Sequence, residues 1–203
     1  MDAIEEIRSE IRHCTVCAGH LPHPPRPVVQ IGAPARIMIV GQAPGSKVHE
    51  SGVPWNDQSG DRLRDWTGLG KPTFYDPEQI ALMPMGFCYP GAANGADLPP
   101  RPECAPLWHA RVLALLPNIQ LTLLVGIHAQ DYYLRKTAKA TMTETVRGFT
   151  AYGPALFPLP HPSWRSTGWM RRNPWFETEV LPALRDQVRA ALGFPRINPR
   201  IPP

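Results

Sequence analysis

Two uninterrupted apolar runs are the most regular feature of the sequence, RIMIV (36–40) and QLTLLVGI (120–127). Both are rich in leucine and β-branched residues and show no polar alternation, which is typical of strands buried on both faces of a parallel sheet. Two weaker strand candidates, ALMPMGF (81–87) and ALFPLP (155–160), are each interrupted by proline. The pattern predicts strands at these places.

Between these runs, apolar residues recur at helical spacing. The helical stretches are 1–13, 59–69, 103–116, 128–136 and 173–192. Strands that alternate with helices predict an α/β protein, a three-layer α/β/α sandwich with a central, mostly parallel four-stranded sheet. Because 203 residues suffice for one sizeable core, we expect a single domain over 1–203.

Two short motifs follow predicted strands, GQAPG (41–45) and HPS (161–163). Ligands of α/β proteins lie beyond the carboxyl ends of the strands, which is where both motifs fall. A glycine-rich turn presents backbone N–H groups there and permits close approach. GQAPG also fits an ordinary turn, and a phosphate-binding loop is disfavoured because no Gly-Lys-Ser/Thr ending follows.

The next segment, SGVPWNDQSGDRL (51–63), places Trp55, Asn56 and Asp57 just before a predicted helix. An aromatic residue followed two positions later by a carboxylate suits a stacked ring ligand beside a charged group. The alternatives are helix capping by Asp57 or Ser59 and core packing by Trp55.

The formal net charge is only +4, but the acidic residues gather early and the basic ones late, in LRKTAK (134–139) and SWRSTGWMRRNPW (163–175). A local basic face favours an anionic partner such as nucleic acid, and a solvated surface is the alternative. No signal-like start and no apolar run of membrane-spanning length is present, so we expect a cytoplasmic protein without a membrane partner.

The four cysteines form a Cys-x-x-Cys pair, Cys14 and Cys17, with two later thiols at Cys88 and Cys104. In a reducing compartment this pattern indicates a four-thiolate metal site that ties the N-terminal segment to the 88–104 loop. Zinc and a 4Fe–4S cluster both suit four thiolates, and a zinc site could also recruit His13, His20 or His23. Small buried side chains and a chance Cys-x-x-Cys are the alternative. We expect a structural role for the site.

Taken together, GQAPG, SGVPWNDQSGDRL, LPHPSW and the cysteine pattern resemble the uracil-DNA glycosylase superfamily, most closely its iron–sulfur branch, families four and five. The resemblance runs from about Cys14 to the last predicted helix. It implies a 4Fe–4S cluster on the four cysteines. It also implies that the loop with Gln42, Ala43 and Gly45 forms a wall of the base pocket.

The resemblance further implies roles for individual side chains. Trp55 would stack on the flipped base, and His161 would hydrogen-bond the base oxygen on which charge develops. Ser163 would contact phosphate. Asp57 lies where family five carries its catalytic Asp in GDxSG, so we assign it the catalytic role with Gln42 and His161.

The chain also departs from the strict uracil-specific family. Ala43 stands where that family has its first-motif carboxylate, and Gly45 replaces the tyrosine that blocks 5-substituted pyrimidines. MPMGFC has no asparagine to read the uracil edge, a task that Asn56 or Asn94 could take. We therefore expect a wider substrate range, including 5-substituted uracils and other deaminated bases.

The segment after HPS interleaves large apolar groups with cations, which suits a wedge into the DNA stack with phosphate contacts beside it. Trp164, Arg165, Arg171 and Arg172 are the DNA-binding candidates, with Trp169 and Met170 between them. The alternative is that both tryptophans pack under the final helix and that the arginines are solvated. Trp175 and Phe176 are expected to pack in the core.

The preferred hypothesis is a monofunctional DNA repair glycosylase that removes uracil by water attack and leaves an abasic site. The alternatives are a protein of the same superfamily that binds uracil-DNA without turnover and a cluster-bearing module unrelated to bases. The sequence leaves the oligomeric state open.

Overall fold

The computed structural model describes residues 2–194. Its strands are β1 (Ile37–Val40), β2 (Ile80–Leu82), β3 (Ala92–Ala93), β4 (Ala96–Asp97), β5 (Leu121–Val125) and β6 (Leu156–Leu159). The α-helices are α1 (Ala3–Arg12), α2 (Ser46–Ser51), α3 (Gln58–Thr67), α4 (Lys71–Phe74), α5 (Cys104–Leu113), α6 (Ile127–Leu134), α7 (Met142–Arg147), α8 (Ser166–Arg172) and α9 (Leu181–Ala191). Shorter 3-10 turns lie at Ala18–His20, Arg135–Thr137 and Phe149–Tyr152, and a π-helical turn at Phe176–Val180 leads into α9.

Four strands form the central sheet in the order β2-β1-β5-β6, and every neighbouring pair is parallel. Ile37 of β1 is paired with both Ile80 and Leu121. All described residues of β1, β2 and β5 are buried, as continuous apolar strands of a covered parallel sheet should be. The predicted four-stranded sheet is confirmed.

Alternate side chains of β1 enter two separate hydrophobic cores. Ile37 and Ile39 face the core completed by α3, α7 and α9, whereas Met38 and Val40 face the core completed by α1, α5 and α6. Helices therefore cover both faces of the sheet, which is the predicted three-layer α/β/α arrangement.

The N-terminal helix α1 shows how the sequence pattern fixes the outer layer. Ile4, Ile7 and Ile11 recur at helical spacing and are buried, while the other face carries charged residues. This single apolar stripe holds α1 against the sheet and brings the following Cys14 towards the loop after β2.

Two element predictions need correction. The predicted strand at 81–87 ends as β2 at Leu82, because Pro84 has no N–H for the ladder. Residues 173–192 are not one α-helix: α8 ends at Arg172, and the chain passes through the π-helical turn before α9 begins. The sequence analysis also missed the small hairpin of β3 and β4.

Residue 1 and residues 195–203, which the single-domain prediction includes, lie outside the described residues. Over residues 2–194, no helix combines the length and apolar character that crossing a bilayer requires.

Candidate active site

A cavity of about 370 Å³ lies at the carboxyl ends of β1 and β6. The GQAPG loop that follows β1 and the HPS segment that follows β6 both line it. The turn before α3 and the β3–β4 hairpin complete the wall. The fold therefore brings the two sequence motifs to one site, at the edge where parallel α/β sheets bind ligands.

All five residues of the GQAPG loop line the cavity. Ala43 and Gly45 line it as predicted, and Gln42 does so as well. The Gln42 side-chain amide, however, donates a hydrogen bond of 3.2 Å to the Leu98 carbonyl. Gln42 thus also holds the segment after the hairpin against the loop.

Trp55 closes one side of the cavity from an unusual backbone conformation, with φ at 56°. Its carbonyl accepts hydrogen bonds from the Arg64 guanidinium at 3.4 Å and from the Tyr75 hydroxyl at 3.3 Å. A left-handed conformation is costly for a bulky residue, and these contacts hold it in place. Arg64 is buried and was not identified from the sequence.

Glycines on two sides make room for Trp55. A Cβ atom at Gly60 would lie 1.8 Å from the Trp55 carbonyl oxygen, and one at Gly41 would lie 2.6 Å from the Trp55 ring. Both distances are too short for any side chain, so these glycines allow the backbone and the indole to approach closely. Gly41, the first residue of GQAPG, therefore serves the placement of the aromatic ring.

Asp57 lines the cavity and also caps α3, where it accepts a hydrogen bond of 2.8 Å from the Gly60 amide. The two interpretations of this residue are therefore compatible in one geometry. One carboxylate oxygen fixes the side chain at the start of the helix, which holds the group in a defined place beside the cavity.

His161 faces Trp55 across the site, with the two ring centroids 6.0 Å apart and the planes inclined by 31°. Desolvation by burial lowers the pKa of His161, an effect opposed by the charge of Asp57 and reinforced by His128. The imidazole is therefore neutral at physiological pH and carries one N–H donor. The His161 carbonyl accepts a hydrogen bond from the Ser166 hydroxyl, which ties the segment to α8.

The mouth of the cavity carries three of the predicted DNA-binding residues, Ser163, Trp164 and Arg165. Trp164 is the most exposed large apolar side chain among the described residues, at 73%, and the Arg165 guanidinium lies 5.5 Å from its ring centroid. Arg62 donates a hydrogen bond of 2.6 Å to the Ser163 carbonyl. Arg62 was missed from the sequence, because only the fold brings α3 to this segment.

Other predicted residues lie away from the cavity. Arg171 and Arg172 are exposed on α8 and do not line the cavity. Asn56 and Asn94 do not line the cavity either. Trp169 and Met170 pack against the core, and Trp169 donates a hydrogen bond of 2.8 Å to the Thr143 hydroxyl. Both side chains are partly buried against the core, which agrees with the packing alternative for this part of the segment. Trp175 and Phe176 pack in the core as expected.

All four cysteines line a second, smaller cavity. Cys14 and Cys17 follow α1, Cys88 lies in the segment after β2, and Cys104 begins α5. The N-terminal segment and the ends of the 88–104 loop therefore meet at one place. None of His13, His20 and His23 lines this cavity.

Burial raises the pKa of the Cys88 thiol to about 11 and that of Cys104 to about 12. Neighbouring thiols contribute to both increases, whereas the Phe87 amide, which donates to Cys104 Sγ at 3.3 Å, opposes the increase at Cys104. No disulfide joins the four cysteines. Within residues 2–194, no three or more His, Cys, Asp or Glu side chains are arranged to hold a single metal ion.

Comparison with known protein families relates this chain to a family of DNA repair enzymes. The model of the uracil DNA glycosylase superfamily matches residues 29–185, more than half of the chain. The matched range includes Gln42, Trp55, Asp57 and His161, together with the whole central sheet.

Proposed function

Because the chain belongs to the uracil DNA glycosylase superfamily, we propose that it hydrolyses the N-glycosidic bond of uracil in DNA and leaves an abasic site. Three groups that line one cavity support this function: the Trp55 ring, the Asp57 carboxylate and the His161 imidazole. They are the stacking surface, the anion and the neutral donor that this reaction requires. Their convergence is the observation that carries the proposal.

The leaving base becomes anionic as the bond to the sugar breaks. Neutral His161 can donate a hydrogen bond to the base oxygen on which this charge develops, since burial lowers its pKa. Backbone amides of the Gln42–Gly45 loop can add further donors. Trp55 provides the flat surface on which the extruded base stacks.

The sugar becomes cationic in the same transition state. Asp57 can stabilise this cation and orient the attacking water, because its carboxylate borders the cavity and is held by the Gly60 amide. Hydrolysis needs no amine nucleophile on the protein. The product is an abasic site and a free base.

Extrusion of the base requires contacts to the DNA around it. Exposed Trp164 at the cavity mouth is suited to fill the space that a flipped base leaves in the stack. Arg165 beside it, and Arg171 and Arg172 on α8, can contact phosphates. This face is the proposed DNA-binding surface.

We further propose that the four cysteines hold a 4Fe–4S cluster with a structural role. Four thiols that line one shared cavity support a group that binds a thiolate at each corner. The cluster would join α1, the segment after β2 and α5. It supplies rigidity to this loop-rich region, and the glycosylase reaction uses only the residues of the other cavity.

We expect a base range wider than uracil. Gly45 carries no side chain at the cavity wall, so a 5-substituent on uracil or a larger deaminated base meets less steric resistance. A panel of single-base substrates tests this range.

A strand-cleavage assay tests the proposed function. The protein is incubated with an end-labelled oligonucleotide that contains one uracil, and the product is heated in alkali. A break at the uracil supports the function. An intact strand together with a retarded, uracil-specific complex would identify a binding protein without turnover, and an intact strand without such a complex would overturn both.

A further inference from the structure

The β3–β4 hairpin forms a wall of the active-site cavity that the sequence analysis did not identify. Two active-site residues hold it in place: Gln42 donates to the Leu98 carbonyl at 3.2 Å, and Arg165 donates to the Gly95 carbonyl at 3.3 Å. The turn at Asn94 and Gly95 has positive φ at both residues, as a tight hairpin turn requires. The hairpin is thus fastened to the site on both sides.

Asp97, the last residue of β4, points its carboxylate at this site. Its Oδ2 atom lies 3.3 Å from the position that a Cβ atom on Gly45 would occupy. Asp97 lines the cavity together with Gly45, Trp55 and His161. In the part of the chain that the structure describes, its side chain makes no hydrogen bond or ion pair.

The other carboxylate and amide side chains considered for base contacts are held by protein groups or lie outside the cavity lining. Asp57 already accepts from the Gly60 amide, and Gln42 is held by Leu98. Asn56 and Asn94, the two amides considered from the sequence, do not line the cavity. Asp97 therefore offers the cavity a carboxylate whose acceptor sites are all open.

The surroundings of Asp97 favour a hydrogen bond from a bound base to its carboxylate. Desolvation raises the pKa of Asp97, the charge of Asp57 raises it further, and Arg165 lowers it. A base that fills the cavity removes more water from this carboxylate, and an N–H group on the base offsets that loss. Tyr89 also lines the cavity, and the charge of Asp97 adds to the burial that raises the pKa of Tyr89.

We propose that Asp97 is a base-recognition residue, which accepts a hydrogen bond from a ring N–H of the extruded base. This inference rests on the proposed function and specifies its substrate class: bases with an unsubstituted ring N–H on the edge that faces the hairpin. Uracil and hypoxanthine carry such a group. A base methylated at that nitrogen lacks the donor and places a methyl group against the carboxylate.

The test measures kcat/KM for excision of uracil and of 3-methyluracil by wild-type protein and by Asp97→Ala, Asp97→Asn and the exposed control Asp186→Ala. Asp97→Ala should lower kcat/KM on uracil by about 10- to 100-fold, while Asp97→Asn, which keeps a carbonyl acceptor, should retain most activity. Methylation of the base at N3 should lower kcat/KM of the wild-type protein strongly. It should lower kcat/KM of Asp97→Ala only a little. Asp186→Ala should match the wild-type protein on both substrates.

The outcomes separate the two proposals. If wild-type protein excises uracil and Asp97→Ala matches it, or if methylation costs both proteins the same factor, the recognition role is overturned and the proposed function stands. If wild-type protein excises no base, both fail. Equal melting temperatures of the Asp97 variants and wild-type protein exclude misfolding as the cause of a loss.

Discussion

Asp57 accepts a hydrogen bond of 2.8 Å from the Gly60 amide while its carboxylate borders the cavity. The same side chain therefore caps α3 and lines the cavity in which we propose that the base binds. Asparagine caps helices about as well as aspartate but carries no charge. Alanine provides neither a cap nor a charge. Substitutions by asparagine and by alanine therefore separate the structural role of Asp57 from its proposed catalytic role.

Asp57→Asn should lower uracil excision by about 100-fold or more and leave the melting temperature nearly unchanged. Asp57→Ala should lose the same activity and, in addition, about 1 kcal/mol of stability through the missing cap. Initial rates and thermal unfolding of both variants measure these effects. Near-normal excision by Asp57→Asn would show that Asp57 serves only as a cap.

Gly41→Ala should impair uracil excision, although the substitution adds only a methyl group. Its Cβ would lie 2.6 Å from the Trp55 ring, so the indole must move from the position in which we propose that it stacks on the base. Gly19→Ala is the matched control, because a Cβ there meets nothing within 4 Å. We expect a loss of about 10-fold or more in kcat/KM for Gly41→Ala and none for Gly19→Ala. Equal activity of the two variants would argue against a role for the position of Trp55.

Cys88→Ser should abolish the proposed cluster. Anaerobically purified wild-type protein should absorb at about 400 nm, and the variant should not. The variant should also unfold at a lower temperature, because the ends of the 88–104 loop lose their common attachment to the N-terminal segment. Wild-type protein that binds zinc, or no metal at all, would contradict the cluster assignment.

His109 should make the stability of the protein depend on pH. It is buried between the Tyr133 hydroxyl at 2.8 Å and the Pro84 carbonyl at 3.1 Å, and burial lowers its pKa from 6.5 to about 4. Between pH 4 and pH 6.5, His109 binds a proton in the unfolded chain but not in the folded chain. The stabilisation is therefore fully present above pH 6.5 and is lost as the pH falls towards 4.

The lost stabilisation should reach about 3 kcal/mol at pH 4. Denaturant unfolding at pH 7 and pH 4 measures it, with His109→Gln as the comparison that cannot titrate. Because His161 and His49 also have lowered pKa values in both proteins, only the difference between the two proteins reports on His109. An identical loss in both would contradict the assignment.

Much of the fold followed from local sequence. The apolar run at 36–40 is typical of a strand buried on both faces, and the structure places β1 there with its side chains in two cores. GQAPG and HPS were expected at the carboxyl ends of strands and lie there. These predictions worked because each depended on a few neighbouring residues.

The hairpin and Asp97 were missed for a physical reason. Asn94 and Gly95 are a strong turn signal, but the flanking alanines lack the β-branched residues that usually mark strands. The contacts that make the hairpin a cavity wall come from Gln42 and Arg165, each more than fifty positions away in sequence. No local pattern reports such contacts.

Turnover is the central claim, and the release of free uracil tests it most directly. Wild-type protein is incubated with an excess of uracil-containing DNA, and the released base is quantified by mass spectrometry. The account predicts many molecules of uracil per molecule of protein. Uracil that remains in the DNA, even when the DNA is bound tightly and specifically, would contradict it.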